Sequence, residues 1–113
     1  MSMSFTRTLL AAVVASGGCI GVAWAADVDV DAAQALIKKN ECGKCHAVDK
    51  KKDGPAYKET AARLKDKPGA EDEVYKHLTT GPMVKIEGKE EKHKVVKGSD
   101  DEIKNLVRYI LTR

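Results

Sequence analysis

Two cysteines three positions apart with a histidine directly behind the second, Cys42-Gly43-Lys44-Cys45-His46, constrain this chain more than any other feature. Thiols at that spacing can both reach one rigid group, and the adjoining imidazole is placed to bind a metal at its centre. C-x-x-C-H is the attachment signature of haem c: both thiols add to the porphyrin vinyl groups and the histidine ligates the iron. Three other chemistries use closely spaced cysteines. A thioredoxin-like dithiol calls for a βαβ surround, whereas the flanks here read as helical and lysine-rich. A zinc site needs two more ligands, and His77 and His93 lack the close paired spacing of a finger. A disulfide between Cys42 and Cys45 would close a very short loop and stabilise little. Haem is the favoured reading, with these rivals kept in play.

The start of the chain sets the compartment. Arg7 precedes an apolar and small-residue run from Leu9 to Ala26 that contains Ala23-Trp24-Ala25, the small-x-small pattern of signal peptidase sites. This predicts a cleavable secretory signal over residues 1–25, cut after Ala25, a single domain over 26–113 and a periplasmic location. An uncleaved membrane segment, or lipidation at Cys19 behind Gly17-Gly18, is the alternative. Cleavage leaves Cys42 and Cys45 as the only cysteines, Met83 as the only methionine and three tyrosines, Tyr57, Tyr75 and Tyr109, as the only aromatics. So few large apolar side chains bury a marginal core, and such a domain needs a staple.

Periodicity predicts short helices. Asp31 can cap a first helix over 32–40, with Gln34 three residues on and Leu36 and Ile37 facing inward. Tyr57, Ala61 and Leu64 share a face of a second helix over 57–64. Glu71, Asp72 and Glu73 suit the start of a third, which Gly81-Pro82 ends. Met83 to Ile86 alternate weakly like a strand, and Gly88 with the charged run Lys89 to Lys92 suggests a loop or hairpin. Ser99 to Glu102 form a capping box before Ile103, Leu106, Val107, Ile110 and Leu111, the apolar face of a last helix.

In that order, with Gly54-Pro55-Ala56-Tyr57 after the C-x-x-C-H motif, these features resemble class I cytochrome c, particularly its short bacterial monohaem members, over essentially all of residues 27–113. The resemblance implies an all-α fold of about four short helices around one covalently attached haem c. Cys42 and Cys45 would hold the haem, and His46 would be an axial ligand of the iron. The carbonyl of Pro55 would accept from the other ring nitrogen of His46 and orient it. By the same resemblance the chain would be a soluble electron carrier between redox proteins and no enzyme. A peroxidase-like enzyme or a gas sensor is the alternative if the sixth iron position is open.

The sixth ligand departs from the family pattern, which supplies a methionine from the loop before the last helix. Met83 follows Pro82, but it lies only two residues past Gly81 and sixteen before Ser99. His93, twelve past Gly81 and six before Ser99, occupies the slot that the methionine usually fills. His93 is therefore the expected distal ligand, with Met83 as the alternative, and two imidazoles predict a lower potential than histidine opposite methionine. His77 reads as a surface residue near the end of the third helix.

Lys and Arg number 20 against 17 Asp and Glu, and loss of Arg7 with the signal leaves an excess of two. Net charge therefore decides little, and nothing in the sequence calls for nucleic acid or a small-molecule substrate. Its arrangement says more: Lys38, Lys39, Lys44, Lys50, Lys51 and Lys52 flank the attachment motif and could steer a monomeric protein onto an acidic redox partner, or could simply be solvated.

Overall fold

The structure, a computed structural model, describes Gly17 and residues 27–113. The expected export signal, its cleavage site after Ala25 and Cys19 lie outside the described residues. Four helices appear: α1 (Val30–Lys39), α2 (Tyr57–Leu64), α3 (Ala70–Thr80) and α4 (Asp100–Leu111). A 3₁₀ turn over Cys42–Lys44 follows α1, and an antiparallel hairpin of β1 (Met83–Ile86) and β2 (Lys89–Lys92) links α3 to α4. The expected helical fold is present, and the stretch read as a loop or hairpin is a hairpin.

The last helix organises the rest, because α1, α2 and α3 all pack against it. Its Ser99 side chain accepts from the N–H of Glu102 while the Glu102 carboxylate accepts from Ser99, so both ends of the capping box are made. Ile103, Leu106, Val107, Tyr109 and Ile110 are buried along its length. Against them lie Ala33 and Leu36 of α1, Tyr57 and Leu64 of α2, and Val74 and Leu78 of α3.

The start of α1 corrects one expectation. Asp29, not Asp31, is the cap, its side chain accepting from the N–H of Ala32 2.9 Å away. A tertiary clasp decides between these aspartates: Asn105 of α4 accepts from the N–H of Asp29 and donates to its carbonyl, at 3.0 and 2.9 Å. Asp31 sits in the first turn instead, where its charge still suits the helix dipole. Ile37 is only partly buried, whereas Leu36 is 2% exposed.

Candidate functional site

At the end of α1 the chain makes a tight reversal. Glu41 takes a left-handed conformation (φ 57°), and the N–H groups of Cys45 and His46 then both donate to the carbonyl of Cys42, at 3.2 and 2.9 Å. That turn brings the half-buried thiols of Cys42 and Cys45 to one side of the fold. The following loop folds back onto the motif: Gly54 N–H donates to Cys45 O at 2.8 Å, and Tyr57 N–H to Ala47 O at 2.9 Å.

That return places the carbonyl of Pro55 2.7 Å from Nδ1 of His46. A carbonyl only accepts, so the imidazole proton sits on Nδ1 and the lone pair of Nε2 is left to bind a metal. Gly54 makes the close approach possible, since a Cβ there would stand 2.8 Å from Nδ1 of His46, inside its van der Waals envelope. Tyr57 stacks on the same imidazole, with ring centroids 5.5 Å apart and planes within 19°.

The hairpin and the strap after it supply the other side. His93 follows β2 directly, its N–H donates to Pro82 O at 2.8 Å, and its Nδ1 lies 2.8 Å from its neighbour's carbonyl at Lys94. The same logic leaves Nε2 of His93 free. The His46 and His93 ring centroids are 6.2 Å apart. An imidazole–metal–imidazole stack with bonds of roughly 2 Å needs a centroid separation of about 6 Å. Met83 is 60% exposed, pairs with Lys92 at the open end of the hairpin and does not line the cavity between the histidines.

That cavity holds about 400 Å³, within the range that cofactor sites occupy. Cys42, Cys45, His46 and His93 line it together with apolar side chains such as Leu64, Ile86 and Leu106. His77 lines it too, half-buried with its ring 4.4 Å from that of His93, so the expectation of a surface histidine is corrected. Burial lowers the pKa of both His77 and His93, with His46 adding to it, which favours the neutral imidazole in each. A neutral imidazole is the form that binds metal.

The rivals to haem fit less well. Burial pushes the Cys42 thiol up, away from the lowered value that activates a redox cysteine. Among the described residues no three of His, Cys, Asp and Glu form a cage for a metal ion of their own. Two thiols in one turn, two imidazoles a metal's width apart and a largely apolar cavity instead fit one haem c. Two asparagines escaped the sequence reading, Asn105 in the clasp above and Asn40, 4% exposed at the end of α1. Neither stands in a motif, and each finds its partner far along the chain.

A four-helix shell around such a cavity defines a class I c-type cytochrome, and the comparisons agree. The cytochrome c family model matches residues 30–113, and the chain belongs to that family, whose cofactor is covalently attached haem c. It is 42% identical to cytochrome c-551 of Pseudomonas aeruginosa over 59 residues, 52% of each chain, so that match spans about half the relative's length. Cytochrome c-551 of Stutzerimonas stutzeri is 36% identical over 75 residues, 66% of this chain and 69% of that one. Among solved structures, the class 1 cytochrome MtoD of Sideroxydans lithotrophicus ES-1 superposes with a TM-score of 0.73 at 49% identity, covering 75% of this chain and 96% of MtoD. Cytochrome c552 of Nitrosomonas europaea gives 0.59 at 34% identity, over 70% and 96%.

Proposed function

We propose that this chain is itself an electron carrier, exported to the periplasm, whose haem iron is held between His46 and His93. When bound, haem supplies a one-electron couple; the protein's part is to hold the group and set how readily the electron is given up. Cys42 and Cys45 anchor it. The Pro55 carbonyl keeps the proton of His46 on Nδ1 and makes Nε2 a stronger donor. His93, its Nδ1 likewise beside the carbonyl of Lys94, would be the second residue to hold the iron.

The single observation that carries this reading is the 6.2 Å separation of two imidazoles whose Nδ1 atoms are both engaged. Two imidazoles would favour a lower potential than histidine with methionine, and with both His46 and His93 holding the iron, peroxide or a gas would have to displace one of them. Electron carriage needs no more of the site than this, in keeping with a family whose members are generally not enzymes.

Docking is the other half of a carrier's work. Lys38, Lys39, Lys44, Lys50, Lys51 and Lys52 are all exposed around the attachment turn. Lys44 pairs with Glu41, whereas Lys52 donates only to the neutral carbonyl of Gly43 and keeps its charge, so it and the other four supply the charge that would meet an acidic partner. The small-x-small site before Ala26 supports export, and the protein is read as a monomer.

Substitution of the distal residue tests the ligand set. His93→Ala is expected to turn the ferric haem high-spin, while Met83→Leu leaves the spectrum and the potential unchanged. A low-spin His93→Ala protein would reject His93 as the ligand.

A further inference from the structure

Asn40 is the only buried polar residue of the described chain, and it stands two positions before Cys42. Its Nδ2 donates to Leu36 O and to Lys97 O, both at 3.0 Å, and its Oδ1 accepts from Lys97 N–H at 2.8 Å. The carboxamide thus pairs with both backbone groups of one residue, Lys97, as a neighbouring strand would, across 57 residues of sequence. Without it, the N–H and carbonyl of Lys97 would lose their partners at a part-buried place. Val96 beside it is 6% exposed, and a Cβ on Gly98 would come within 3.0 Å of Leu36.

Lys97 closes the strap that begins with His93. The strap is fixed to the hairpin base by His93 N–H on Pro82 O and to α3 by Val96 N–H on Leu78 O, both 2.8 Å. To α1 it has two ties, Asn40 on Lys97 and the Glu41 carboxylate 3.6 Å from Lys94 Nζ. The second is an exposed ion pair and contributes little. Asn40 is therefore the buried link between the segment that leads into the attachment motif and the segment that carries the distal histidine.

We propose that Asn40 is a positioning residue for the distal ligand: its carboxamide locks the 93–97 strap to the end of α1 and so governs how readily His93 yields its place on the iron. This rests on His93 being that ligand. A residue needed only for core stability would be served by an apolar side chain, which would avoid burying an amide. The carboxamide is matched to the backbone donor and acceptor of Lys97 together, which aspartate cannot be.

The test uses haem-loaded ferric protein mixed with cyanide, with the rate of cyanide binding and the thermal melt read on each variant. Asn40→Ala is expected to bind cyanide about tenfold faster than the parent, the scale of a lost hydrogen bond. Asn40→Asp, nearly the same shape but without the two donors, is expected to move the same way and decides the matter if Asn40→Ala yields no holoprotein. Val107→Ala, a core truncation at a residue that does not line the cavity, is expected to lower the melt with its cyanide rate within about twofold of the parent. Rates in the Asn40 variants no higher than in Val107→Ala would overturn the proposal. His93→Ala separates the two failures: if it stays low-spin, the ligand reading fails and this proposal with it. If it turns high-spin while the Asn40 variants bind cyanide slowly, only the positioning role is lost.

Discussion

Gly54 shows how narrowly the proximal imidazole is held. Pro55 can bring its carbonyl to 2.7 Å from Nδ1 of His46 only because the preceding residue has no side chain in the space the ring occupies. Gly54→Ala is expected to push the ring off that carbonyl and destabilise the holoprotein by roughly 1–3 kcal/mol, as overpacking in a rigid site does, measured by thermal melting with the haem spectrum as the readout of ligation. Cys42, Cys45 and His46 were legible because their chemistry is local and their spacing is rigid. Pro55 came through family resemblance, and counting back from Ser99 singled out His93. His77 was misjudged although the signal was there: with Val74 and Leu78 at i−3 and i+1 buried on α3, helical geometry turns position 77 toward the same side. Asn40 gave no signal, because a polar residue at a helix end looks solvated until its partner 57 residues away is known.

Among the elements, the hairpin is where local preference and structure disagree. Its two-residue turn, Glu87-Gly88, has positive φ at both positions, 51° and 80°, a geometry that favours Asn-Gly over Glu-Gly. The strand signal was weak for the same reason, since alternation without a good turn leaves a loop equally plausible. Glu87→Asn is expected to raise the stability of the holoprotein by about 0.5–1 kcal/mol by relieving the left-handed backbone, seen as a higher melting temperature with an unchanged spectrum. The last helix was legible in full, because its capping box and apolar stripe are both local. The start of the first was not: Asp29 and Asp31 are equally good caps in isolation, and only the clasp from Asn105 selects between them.

For the whole molecule, the governing fact is a small core wrapped around a cavity of about 400 Å³. The buried side chains are mostly aliphatic, with Tyr57 and Tyr109 the largest. A cofactor that fills that space and is bonded to the chain supplies the staple that the composition lacks. The surface shares the functional burden through its lysines. Electron transfer to an acidic partner is expected to slow as salt rises from roughly 0.01 to 0.15 M, as the screening length falls from about 30 to 8 Å, followed by stopped-flow absorbance. A rate indifferent to salt would leave those lysines merely solvated. The central claim, an iron held by two imidazoles, is tested most directly by the absorption spectrum of the ferric holoprotein. The expected result is a low-spin spectrum without the weak far-red band that methionine sulfur on iron produces. A low-spin spectrum with that band would make Met83 the ligand, and a high-spin spectrum would leave the sixth position open; either would contradict the account.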